Sequence, residues 1–164
     1  MKLGVVVGVE GLTVKFRVLE GARVERGQLV KVEDGGVRYV ARVYGFKPEA
    51  LLSPAEIARI SHRRSLGESL ELLDAPLRYY DTALATLVAQ LDEDGECHGP
   101  TGSPRLFSDV EDLDDADLAQ LCLDVGDVDV GYVRVGHRAT SCRVKLSGQR
   151  AFPHHLLVLS LIHI

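Results

Sequence analysis

Residues 27–43 read Gly27-Gln28-Leu29-Val30-Lys31-Val32-Glu33-Asp34-Gly35-Gly36-Val37-Arg38-Tyr39-Val40-Ala41-Arg42-Val43. Leu29–Val32 and Val37–Val43 alternate apolar with polar side chains, the period of a strand with one face inside. Asp34-Gly35-Gly36 stands between them, and glycine takes the positive φ that a tight hairpin requires, so the stretch predicts an antiparallel hairpin. The residues before it have the same character. Leu3–Val9 and Leu12–Val18 are rich in Val and separated by Glu10-Gly11, which predicts a second hairpin. Gly21 and Gly27 punctuate a loop that carries Val24. Short Val-rich strands broken by Gly turns predict a mainly β chain, a small antiparallel β-barrel with one or two peripheral helices.

Lys47-Pro48 is expected to end the first β block. Ser53-Pro54-Ala55-Glu56 then predicts a helix start, with Ser53 as cap, Pro54 in the first turn and Glu56 at capping-box spacing. Ile57 and Ile60 give that helix an apolar face, His62, Arg63 and Arg64 suit its C-terminal dipole, and Gly67 stops it. Leu84–Leu91 reads as a strand, Asp92-Glu93-Asp94-Gly95 as a turn and His98–Arg105 as a loop. Asp109–Asp117 holds six carboxylates and reads as a solvated turn, after which Asp114 caps a helix burying Leu118, Leu121 and Cys122. Val128–Val135 and Cys142–Leu146 are two more alternating strands. The barrel is therefore expected from residues 3–46, 82–91 and 128–146. Residues 1–150 are expected to form the barrel domain.

At 164 residues, 46% of them apolar, the chain is long enough for one domain with a sizeable core. A run of 18 apolar residues is lacking, and the apolar start at Leu3 is broken by Glu10, too soon for a signal peptide. The cysteines, Cys97, Cys122 and Cys142, are odd in number and widely spaced, which suits a reducing cytoplasm better than a disulfide framework. A net charge of −5 and 5% aromatics count against a free-standing nucleic-acid binder.

Few residue groups point to chemistry. His154-His155 is awkward as a metal pair, because neighbours on a strand face opposite ways. Cys97-His98 with Cys122 and Cys142 lacks the paired spacing of a zinc site. The acidic run lacks the Asp-x-Asp-x-Asp-Gly pattern of a calcium loop. Gly4, Gly8 and Gly11 do not open a helix, so they suit turns and barrel corners rather than a dinucleotide. A Gly-x-Ser-x-Gly elbow is missing, and nothing nominates a nucleophile. Arg59, His62, Arg63 and Arg64 form the sharpest basic cluster. Helix capping explains it, and phosphate contact by Arg63 and Arg64 is the alternative.

Leu3-Gly4-Val5-Val6-Val7-Gly8, Gly27–Val32, Gly35–Val43 and Pro153-His154-His155-Leu156-Leu157-Val158-Leu159 together resemble the N-terminal part of HerA, the hexameric DNA translocase of the FtsK-like ATPases. That part is called the HAS barrel. In the family, the segment resembling Pro153–Leu159 leads into a phosphate loop, so the resemblance implies that residues 151–159 are the lead-in strand of a missing ATPase domain and residues 160–164 a non-native tail. Here Ser160, Leu161, Ile162, His163 and Ile164 follow, without its glycines, Lys or Mg²⁺-binding Ser/Thr. The resemblance implies a non-catalytic barrel without cofactor of its own, ATP and Mg²⁺ being expected for the full-length translocase or helicase. It also implies ring assembly and a docking face for a NurA-like nuclease in DNA end resection and repair. Asp109, Glu111 and Asp112 against Arg134, Arg138, Arg143 and Arg150 offer opposite charges for head-to-tail contacts. The alternative is an independent small-barrel nucleic-acid-binding module.

Overall fold

The computed structural model describes residues 1–68, 75–121 and 125–152. Pro153–Leu159 with its His pair, the tail at 160–164 and Cys122 lie outside the described residues. The chain divides into two compact units, Met1–Asp112 and Leu113–Ile164.

The first unit is built on β1 (Lys2–Glu10), β2 (Thr13–Val18), β3 (Leu29–Asp34), β4 (Val37–Ala50), β5 (Tyr79–Leu91), the short β6 (Cys97–His98) and β7 (Asp109–Asp112). Pairing runs β1-β2-β5-β4-β3-β7 and back to β1, all antiparallel. This is a closed six-stranded β-barrel. Alternation drives it: Val14 and Phe16 of β2 and Val30 and Val32 of β3 are fully buried, while Lys15 and Lys31 between them face out. Leu3, Val6, Val43, Leu87 and Val110 complete the core. The β3–β4 turn joins Asp34 to Val37 through Gly35 and Gly36, at φ 60° and 89°, the two positive angles of a type I′ hairpin.

Two expectations are corrected here. Residues 128–146 are not barrel strands. They form β8 (Val128–Val135) and β9 (Arg138–Leu146), a separate two-stranded sheet in the second unit. The sixth barrel strand is instead β7, from the acidic stretch expected to be a solvated turn. β7 pairs with both β1 and β3 and so closes the barrel in the place that β8 and β9 were expected to take. β7 carries one core residue, Val110, while its carboxylates meet lysines on both neighbours: Asp109 lies 2.7 Å from Lys2 and Glu111 lies 3.6 Å from Lys31. The second correction concerns Pro48, which lies inside β4 rather than ending it. Pairing of β4 to β3 stops at Leu29↔Arg42, so Pro48 lies where β4 has a neighbour on one side, and a strand edge tolerates the missing N–H.

Between β4 and β5 lie α1 (Pro54–Ser65) and α2 (Ala75–Arg78). The capping box at Ser53 and Glu56 forms as expected. Gly67, at φ 81°, ends α1 in a Schellman arrangement, its N–H donating to the Arg64 carbonyl and that of Glu68 to Arg63. The apolar face is not buried, however: α1 has no buried residue, and Ile57 is 46% exposed. In the second unit Asp114 caps α3 (Asp115–Gln120), which buries Leu118, and α4 (Gly148–Ala151) follows β9.

Candidate binding groove

β2 and β5 are paired from Thr13↔Thr86 to Arg17↔Thr82, and there they part. β5 continues against β4 through Pro48↔Asp81, Glu49↔Tyr80 and Ala50↔Tyr79. The barrel thus extends into a two-stranded ribbon. The chain leaving β2 turns away through Gly21 at φ 81°, held by hydrogen bonds from Leu19 N–H to the Leu3 carbonyl and from Ala22 N–H to the Leu19 carbonyl. The wedge between ribbon and turn is a groove of about 680 Å³, lined by residues 17–22, 48–50 and 79–81. Its volume falls in the range of ligand clefts.

The groove walls combine rings and carboxylates. The Arg17 guanidinium stacks 4.1 Å from the centroid of the Tyr80 ring. Tyr79 is half exposed. Lys15 donates to Glu49, and Lys47 lies 3.2 Å from the same oxygen. These lysines, Lys15 foremost, hold the Glu49 carboxyl below its usual range. Glu20 and Asp81 have no ion-pair partner among the described residues. The lining therefore sets three carboxylates against one guanidinium. The sequence did not point to this site, because its three segments lie tens of residues apart and only the parting of β2 from β5 brings them together.

A second polar cluster lies where β6 pairs with the end of β5. Buried Gln90 donates to Asp92 at 2.8 Å and accepts from the backbone N–H groups of Thr101 and Gly102. His98 sits between two acceptors, Asp92 at 2.7 Å and the Gly99 carbonyl at 2.7 Å, so both ring nitrogens are satisfied only in the charged form. Asp92 and then Gly99 raise the His98 pKa, while Gln90 and then His98 lower that of Asp92.

The residues singled out from the sequence are not brought together at one site. Asp109, Glu111 and Asp112 share β7, where the first two pair with lysines and Asp112 accepts from Gln28 at 2.9 Å. Arg134, Arg138, Arg143 and Arg150 belong to the second unit. Arg138 lies 3.6 Å from Asp115 and Arg143 lies 3.5 Å from Asp129; Arg134 donates to the Gly136 carbonyl. Arg150 is exposed on α4. Arg63 and Arg64 are exposed on the last turn of α1, with Arg63 bonded to Glu68 at 2.6 Å. Cys97 and Cys142 are half-buried and form no disulfide among the described residues. Among the described residues no three His, Cys, Asp or Glu side chains gather to hold a metal ion, and no helix is long and apolar enough to cross a membrane. Neither a family model nor any curated protein matches the chain.

Proposed function

We propose that this chain is a non-catalytic assembly and nuclease-docking domain of a HerA-type DNA translocase, acting in the cytoplasm in DNA end resection. One observation carries the reading: the segments that resemble the HAS barrel, Leu3–Gly8, Gly27–Val32 and Gly35–Val43, are strands and turns of one closed antiparallel barrel. A closed barrel pairs most of its strand edges, so contacts fall to rims, loops, side faces and short unpaired strand ends. In this reading ATP and Mg²⁺ belong to the ATPase part of the translocase, and a NurA-like nuclease is the partner. The exposed arginines Arg134, Arg138, Arg143 and Arg150 are the contacts proposed to set register in the ring. The carboxylates of β7 would have to exchange Lys2, Lys31 and Gln28 for such contacts, as Arg138 and Arg143 would exchange Asp115 and Asp129. Pull-down of a NurA-type nuclease by this chain, set beside a salt series on labelled duplex DNA, tests the proposal. Nuclease capture with poor DNA affinity is the expected result.

A second reading rests on a separate observation. Tyr44 and Phe46 of β4 are 45% and 44% exposed and stand between Arg42 and Lys47. Exposed rings flanked by cations are the parts of a single-strand-stacking surface. Tight oligothymidine binding that Tyr44→Ala weakens at least tenfold would favour the nucleic-acid-binding module.

A further inference from the structure

The groove beside β5 has a strand edge in its wall. Over Thr82–Thr86, β5 is paired on both sides; over Tyr79–Asp81, among the described residues, it is paired to β4 alone. Where β2 turns away, a further strand has space and a backbone to pair with. We infer that this wedge takes an extended Arg- or Lys-bearing segment of a partner protein as an added strand along Tyr79–Asp81. Main-chain hydrogen bonds give such a segment its affinity, and the side chains lining the groove give it selectivity. The selectivity is for cations. Glu49 is already engaged by Lys15 and Lys47, whereas Glu20 and Asp81 line the groove without an ion-pair partner among the described residues. Tyr79, Val18, Leu19 and Ala22 supply apolar contact for the alternate residues of the segment. A phosphodiester chain is disfavoured by the same carboxylates. An edge of three residues offers few hydrogen bonds, so the expected dissociation constant is on the order of 10–100 μM.

The inference deepens the docking reading by naming a surface and the chemistry of what it holds. The probe is a blocked, fluorescein-labelled octapeptide of alternating Arg and Val, titrated into the full chain. Controls are the Glu–Val analogue and an Arg–Val peptide N-methylated on alternate residues, which removes its edge hydrogen bonds. The Arg–Val peptide should bind. The Glu–Val and N-methylated peptides should bind at least tenfold more weakly, as should Arg–Val with the Glu20→Gln/Asp81→Asn variant. Both substitutions alter side chains without ion pairs, and an unchanged thermal midpoint checks that the variant is folded. No Arg–Val binding, equal binding of the Glu–Val peptide, or indifference to the double substitution overturns the inference. Displacement of the peptide by oligothymidine at physiological salt also overturns it. A NurA-type nuclease captured equally by wild type and variant would leave docking intact and refute the groove; capture of no nuclease would refute the docking reading, while the peptide titration still decides the groove.

Discussion

Gly4 has no room for a side chain. A Cβ there would lie 2.3 Å from the Arg17 carbonyl oxygen and 2.7 Å from the Phe16 ring, where β1 meets β2. Backbone cannot give way as a flexible side chain can, so Gly4→Ala should cost about 2–3 kcal/mol in urea unfolding. An unchanged midpoint would show that the two strands can separate there at little cost. Phe107 presents the reverse case. Its φ is 71°, in the left-handed region that a bulky side chain avoids, and it is 75% exposed while its N–H is tied to the Val6 carbonyl at 2.8 Å. Because little burial is lost, Phe107→Gly should stabilise by about 0.5–1 kcal/mol, read as a raised thermal midpoint. Gly35 and Gly36 were legible in the sequence because a two-residue hairpin demands positive φ of both. Phe107 was not, because nothing in its neighbours signals a left-handed phenylalanine. Gly4 was legible only as a glycine on a strand, since the close approach comes from β2.

At the level of single elements, α1 was the most legible, because a capping box is a local device written in four consecutive residues. Glu56 shows its strength. Bonds from the Ser53 N–H and hydroxyl, and then from Arg78, hold its carboxyl at about 2. A depressed carboxylate stabilises the fold fully above its unfolded value near 4.5 and stops doing so as pH falls through about 2. The stability gap between wild type and Glu56→Gln should therefore be largest above pH 4.5 and close toward pH 2. A gap that persists in strong acid would contradict this. His98 has the opposite sign. Asp92 and Gly99 raise its pKa above 6.5, so its contribution is complete below pH 6.5 and fades as pH rises through the raised value. Thermal midpoints of wild type and His98→Ala, compared from pH 5.5 to 8.5, should converge at the alkaline end. The strand β7 was hidden for an electrostatic reason. Four residues with three carboxylates show no apolar period, and it takes Lys2, Lys31 and Gln28 from elsewhere in the chain to make that strand tolerable.

Across the whole molecule, barrel closure was foreseeable from Val-rich strands and Gly turns, but which strand closes it was not. Closure depends on which edges remain unpaired, and that is a property of the assembled sheet. The alternating period of Val128–Val135 and Cys142–Leu146 is real, yet those strands pair with each other. The groove was illegible for a similar reason, arising where two strands part. The docking proposal entails no ATP turnover by this chain. Turnover abolished by a point substitution within residues 1–159 would count against the docking proposal. The central claim is docking, and sedimentation velocity of this chain mixed with a purified NurA-type nuclease at micromolar concentration tests it most directly. The expected result is a faster-sedimenting complex that persists at physiological salt, with duplex DNA left unbound in a parallel run. Two independent boundaries for chain and nuclease, together with tight salt-sensitive sedimentation of the chain on DNA, would contradict it.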